Sequence, residues 1–326
     1  MEETPRDYSR RRLAELDEAL TPVRPLLDEH PLCVYATGSY GRLEALSGSD
    51  VDLFFLYDGS GDSKRFPWTG FVRLAACLID ATERMGFPPF SGDGQYLDVL
   101  YVGEMERVLG SPKDDSLNAF TARMLLLLES QPLHNAGLYA DLMERIVGFY
   151  YRDFGDHADD FVPAFLQNDI LRFWRTLTLN YEHHRLKLRQ LAGDELERKK
   201  ADSALKNYKL KVSRLATCFS MVANLAAAEV PVRQETVLEL CRLTPAERFD
   251  RLRASGDAAA GHIDALESIY GEFLESVQRD EDDLLADFGD DQKRREALKR
   301  VSAYGDEIYA VLNEVAQPDR MRYLVI

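Results

Sequence analysis

Cysteine is scarce and scattered in this chain. Cys33, Cys77, Cys218 and Cys241 are four in 326 residues and form no C-x-x-C pair. Neither a zinc site nor a disulfide framework is expected from them, and the pattern suits a reducing cytoplasm. Long apolar runs are also missing. Met124–Leu128, one of the longer ones, falls far short of the ~18 residues of a membrane span and reads as part of a core helix. The opening MEETPRDYSRRR is charged and has no apolar stretch, unlike a secretory leader. A cytoplasmic protein with no membrane partner is the expectation. Positive charge is in deficit: 40 Lys and Arg stand against 56 Asp and Glu, a net charge of −16. Such a surface repels polyanions over most of its area, so extended nucleic acid is not an expected partner.

What the chain does have is 45% hydrophobic residues, enough for two cored domains, and one informative stretch. Residues 38–56 read GSYGRLEALSGSDVDLFFL. Asp50 and Asp52 are one residue apart at the head of an apolar run, so on a strand they share a face, while Val51, Leu53 and Phe55 point to the other. Two carboxylates held that close repel unless a cation lies between them. Mg²⁺ takes one or two carboxylates plus substrate phosphates, so a divalent ion with a nucleoside triphosphate is the chemistry this pair suits. Gly38 lets a backbone approach a ligand closely. Ser39 adds a hydroxyl and an amide beside a helix start, a natural phosphate seat. Arg42 and Ser49 lie in the same polar turn and are further candidate nucleotide contacts. The plainer reading is a Gly-Ser turn followed by a solvated Asp pair.

Gly38-Ser39, a spacer of about ten residues and Asp50-x-Asp52 together resemble the signature of the DNA polymerase β-like nucleotidyltransferase superfamily. The form GSYGRLEALSGSDVDL is most similar to the uridylyltransferase of nitrogen signalling and its bacterial relatives, over residues 30–135. The resemblance implies a third carboxylate on a neighbouring strand. Asp98, in YLDVLYV, fits that place, and Asp93, in the turn-like SGDG, is its rival. It also implies two Mg²⁺ ions, with Mn²⁺ as a substitute, held by Asp50, Asp52 and Asp98. The chain lacks a His-Asp dipeptide, which the phosphohydrolase domain of the uridylyltransferase requires, so a de-uridylylating activity is not expected.

In order along the chain, helical spacing predicts an amphipathic helix over 7–29, interrupted at Pro22 and Pro25. Strands are expected at 32–36, 51–57 and 96–102, with a helix over 71–85 that ends at Gly86. Beyond Gly103 no further strand is expected. Helices are expected at 117–128 and 138–151, then roughly at 165–190, 197–228, 234–242, 245–254, 261–286 and 291–314. The acidic segment 280–291 reads as charged surface or a link. The fold class is therefore α/β (α+β): a small mixed-sheet catalytic domain at 1–135 and a large all-helical domain at 136–326.

One segment runs against the acidic balance: residues 185–214 hold ten Lys or Arg against four Asp or Glu. Lys209 and Lys211 flank a stripe of Leu205, Tyr208, Val212, Leu215 and Phe219. Either lysine can meet a triphosphate, and either can equally be a solvated balance to an acidic protein. Arg172 and Arg175 share a face amid apolar residues; a substrate phosphate is one partner they could take, and pairing within the bundle with Asp169 and Glu182 is the expectation. The adjacent His183 and His184 point about 100° apart on a helix and suit surface positions better than one ion.

The expected activity is Mg²⁺-dependent transfer of a nucleoside monophosphate from a triphosphate, ATP among the candidates, to an acceptor hydroxyl on a protein or small molecule. A bacterial synthase of oligonucleotide signals in anti-phage defence is the alternative. A nucleotide-binding regulator without turnover is the second.

Overall fold

The computed structural model describes residues 3–59, 65–90, 94, 97–188 and 193–321, with the backbone alone at 180–188 and 194. The chain divides into two compact units. The first comprises Met1–Asp156 with Gln234–Thr244, and the second His157–Arg233 with Pro245–Ile326.

In the first unit, α1 (Pro5–Ala19) starts on Thr4, whose hydroxyl accepts from the Asp7 N–H, with Pro5 in the first turn; both are favoured at a helix start. Pro22 and Pro25 break the predicted long helix as expected: a single 3₁₀ turn at Thr21–Val23 leads into α2 (Arg24–Asp28). β1 (Leu32–Thr37) follows, then a single turn α3 (Gly38–Gly41), β2 (Asp52–Tyr57), α4 (Trp68–Arg84) and β3 (Val99–Tyr101). The chain continues through α5 (Val102–Val108), α6 (Pro112–Ser116), α7 (Ala119–Leu128), β4 (Gln131–His134) and α8 (Ala136–Gly148).

The four strands form one sheet in the order β3-β2-β1-β4. β1 is antiparallel to β2 and β4, and β2 is parallel to β3. All six β1 residues are buried, because helices cover both faces of the sheet, as the near-continuous apolar run suggests. On one face Val34, Ala36, Leu53, Phe55 and Val99 pack with Leu16 and Leu20 of α1 and Leu74 and Leu78 of α4. On the other, Tyr35 stacks on Phe54 with centroids 5.6 Å apart, and its hydroxyl donates to the Ala122 carbonyl of α7.

β4 corrects the expectation that strands stop beyond Gly103. Its four residues include Pro132, which argues against a strand. As an edge strand it needs no donor from the proline, and β1 supplies the register, Val34 opposite His134. The compact unit also runs past residue 135, because α8 packs on β1, and α11 (Gln234–Arg242) returns to pack on α8.

α7 is buried on all sides, and Arg123 within it is fully enclosed. Its guanidinium forms a two-pronged pair with Asp114 at 2.9 and 2.8 Å and donates to the Tyr150 hydroxyl at 2.8 Å. These partners hold the arginine's proton tightly despite its burial, raising its pKa.

The second unit is helical: α9 (Ala164–Leu188), α10 (Gly193–Ala227), α12 (Pro245–Arg251), α13 (Asp257–Val277), α14 (Glu281–Gly289) and α15 (Asp291–Val315). Tyr208 of α10 packs against Phe273 and Phe288. The helix expected at 261–286 is two helices. The acidic segment is charged surface, as one of its two readings had it, and not a link: its carboxylates are exposed or half-buried, Asp280 caps α14 and Asp290 caps α15, each carboxylate accepting from backbone N–H, and Leu284 and Phe288 are buried. Arg172 pairs with Asp169 at 3.5 Å. The side chains of Glu182, His183 and His184 lie outside the described residues. Among the described residues no helix is long and apolar enough to cross a membrane.

Removing one member of an enclosed ion pair strands the other, at about 3–5 kcal/mol. Asp114→Ala is therefore expected to lower unfolding stability by that order in a urea titration. The double variant Asp114→Ala with Arg123→Met should lose less than Asp114→Ala alone.

Candidate functional site

The Gly-Ser turn and the Asp-x-Asp strand meet because β1 and β2 pair to their ends. Thr37, the last residue of β1, lies opposite Asp52, the first of β2. Gly38 follows at φ +67°, and a Cβ placed there would sit 3.2 Å from Asp52 Oδ2. A side chain would be strained by the backbone and crowded by the carboxylate. Glycine thus brings bare backbone against Asp52.

The turn that follows is held from several sides. The Glu44 N–H bonds back to the Ser39 carbonyl and the Leu43 N–H to the Tyr40 carbonyl, the bonding of a Schellman end. Leucine, not glycine, takes its left-handed position at φ 59°, which costs about 1–2 kcal/mol. Leu43 is buried, and that burial offsets the cost. A Cβ on Gly41 would fall 2.0 Å from the Glu129 carbonyl oxygen, so the turn lies directly on the end of α7. The Ser9 hydroxyl accepts from the Ala45 N–H and fixes the exit.

Arg42 is part of this scaffold. Its guanidinium donates to Glu44 Oε2 and to Glu129 Oε2, both at 2.8 Å, and it is buried. The expected nucleotide contact at Arg42 is instead engaged inside the protein. Ser49 is engaged as well: its hydroxyl accepts from the Leu46 N–H and closes the loop before Asp50. Ser39 is half-buried in the turn.

Asp50 and Asp52 are exposed, while Val51 and Leu53 between and after them are in the core. The alternation predicted for this stretch holds. Asp98 is exposed just before β3. Since Val99 pairs with Phe55, strand alternation gives Asp98 the sheet face of Asp50 and Asp52. Its Oδ1 accepts from the Val99 N–H at 2.8 Å. Among the described residues no three His, Cys, Asp or Glu side chains converge tightly enough to hold an ion unaided. Asp93 lies outside the described residues. Lys209 and Lys211 are half-buried on α10, in the second unit.

A cavity of about 680 Å³ opens along the outer edge of β3. Asp98, Arg65, Trp68, Phe71, Tyr101 and Glu104 are among its lining residues, and Gly38, Ser39, Asp50 and Asp52 are not. The sequence held one sign of it: Trp68 is one of only two tryptophans, and it follows a proline at a helix start. Glu129 and Ser9 carried no such sign, because each is a polar residue whose partner is distant in the chain.

Gly41→Ala is expected to cost about 1–3 kcal/mol by forcing the turn off the α7 end. Gly48→Ala, where a Cβ meets nothing within 4 Å, should change stability by no more than about 0.5 kcal/mol. Thermal denaturation of the two variants side by side checks this.

Residues 3–95 match the model of a family described as "Putative nucleotidyltransferase DUF294". Searches of curated proteins and of solved structures found no match. The matched stretch contains Gly38, Ser39, Asp50 and Asp52 and ends before Asp98. It supports an enzyme of the nucleotidyltransferase class.

Proposed function

We propose that the chain transfers a nucleoside monophosphate from a nucleoside triphosphate to an acceptor hydroxyl and releases pyrophosphate. The observation that carries this is the approach of Gly38 to Asp52, with a Cβ site 3.2 Å from Oδ2, which joins a bare-backbone turn to an acidic strand head. The donor set suits magnesium. Asp50 and Asp52 offer only carboxylate oxygens, and Mg²⁺ keeps several waters and needs one or two carboxylates beside substrate phosphates. A ready cage of three is therefore not required. When bound, two Mg²⁺ or Mn²⁺ ions would offset the triphosphate charge and ease loss of the acceptor proton.

The chain's own residues have distinct parts. Gly38 leaves room for the phosphate chain beside the strand head. Ser39 donates its hydroxyl to the β or γ phosphate. Asp50 and Asp52 hold the ions. Asp98 takes the acceptor's proton as the oxygen bonds to the α-phosphorus and the bond to the bridging oxygen breaks. Membership of the uridylyltransferase-like subgroup belongs to this reading too and rests on the GSYGRLEALSGSDVDL stretch.

A second reading is a nucleotide-binding regulator without turnover. A panel of radiolabelled triphosphates with Mg²⁺ or Mn²⁺ separates the two, since only an enzyme releases pyrophosphate. Mass spectrometry of the products identifies the nucleotide and what carries it, and would reveal an oligonucleotide product. The double variant Asp50→Ala with Asp52→Ala should lose turnover while keeping its circular dichroism spectrum. Asp98→Asn should lower kcat by about 10²–10⁴-fold. Undiminished transfer by the double variant would remove this reading.

A further inference from the structure

We propose that the solvent-facing side of α4 is a docking surface for a second copy of this chain, which packs on it as an antiparallel helix pair about a twofold axis. α4 buries Leu74, Leu78 and Ala81 in the core of the first unit. At 3.6 residues per turn the opposite side of the helix carries Trp68, Val72, Ala76 and Ile79. A surface helix ordinarily turns charge to water on that side. Here Trp68 is 72%, Val72 47% and Ile79 40% exposed, and Ala76 is exposed between them. Single exposed apolar residues need no explanation. Four on one stripe of one helix form a patch whose burial is favourable. Leu117, also exposed, lines the same cavity as Trp68 and continues the patch beyond the helix start.

Charge selects the occupant. Arg73 and Asp80 are exposed and lie two helical turns apart, so they share one flank of the stripe. Neither makes an ion pair with another described residue. A twofold axis lying between two antiparallel helices keeps that flank on the same side in both copies and reverses its direction. With the axis beside Ala76, Arg73 of each copy lies next to Asp80 of the partner subunit, and the contact forms twice. A parallel pairing would set arginine beside arginine and aspartate beside aspartate. Size agrees with charge. Ala75 and Ala76 stand at the crossing, where small side chains let two helices approach to the near end of the usual separation of about 8–10 Å. Val72 and Ile79 flank that point on either side, so Val72 packs on Ile79 of the partner subunit.

The pairing also reaches the cavity along β3. Trp68 lines it, as does Asp98, and the residue opposite Trp68 in the pair is Glu83 of the partner subunit. The second copy thus completes the cavity's rim. A helix of 17 residues is about 25 Å long, too short for one face to supply the roughly 800 Å² per partner of a standard interface. The dimer is therefore one that dissociates on dilution.

Sedimentation equilibrium on the full chain, without nucleotide and over a wide range of concentration, tests this. The mass should rise from 37.1 kDa toward twice that value. Val72→Asp and Ile79→Asp should each raise the dimer's Kd about tenfold or more with an unchanged circular dichroism spectrum. Arg73→Asp alone and Asp80→Arg alone should each raise it about tenfold, because each places like charges side by side twice. Mixed in equal amounts, those two charge variants should associate about as tightly as the wild type, since every contact across the axis then joins opposite charges. A mass that stays at 37.1 kDa throughout, a dimer indifferent to Val72→Asp and Ile79→Asp, or charge variants that fail to associate when mixed overturns the proposal.

Discussion

The enclosed contact between Arg42 and Glu129 fixes where the candidate site is. Glu129 closes α7, a helix buried on every side, and Arg42 closes the turn that begins at Gly38. Their 2.8 Å pair, with Glu44 on the other guanidinium nitrogen, ties the turn to the most deeply buried part of the unit. The energies are unequal. Losing one partner of such a pair costs about 3–5 kcal/mol, against about 1–2 kcal/mol for holding Leu43 in the left-handed region. The lock wins, so the turn keeps a backbone path that its leucine alone would resist. Gly41 lets the two pieces touch without a side chain between them.

The sheet does the rest of the positioning. Because both faces of β1 and β2 are covered, polar groups can reach water only at the strand ends. The pairing of Thr37 with Asp52 brings one such end together with the turn, and the edge strand β3 brings Asp98 to the same face. The acidic groups are therefore displayed by the ends of buried strands, whose side-chain direction is set by the core residues between them. Val51 and Leu53 aim Asp50 and Asp52 by being buried themselves.

Much of this was legible in the sequence, and what was missed has physical reasons. The Asp-Val-Asp-Leu alternation is a local signal with a period of two, and it appears as predicted. The helix breaks at Pro22 and Pro25 are equally local. β4 was hidden because Pro132 argues against a strand, and only the presence of β1 as a neighbour makes four residues extend. Arg42 was read as a ligand contact because a sequence cannot show that Glu129, 87 positions away, already holds it. Asp280 and Asp290 lie on charged surface, as one reading of the segment had it, but their second part, capping a helix each, was not read. The roles of charged residues are the least legible, since a charge is explained by its partner and the partner is usually remote.

The chain leaves the first unit after Asp156, comes back for Gln234–Thr244 and leaves again. Its backbone therefore passes between the units three times. α11 is bound to α8 through buried Val237, Leu238 and Leu240 and through the Gln234 side chain on the Glu144 carbonyl. Because the first unit takes in Gln234–Thr244, no single cut in the chain separates the residues of the two units. A cut at residue 156 would therefore part α11 from α8 and bare the apolar face that α11 covers.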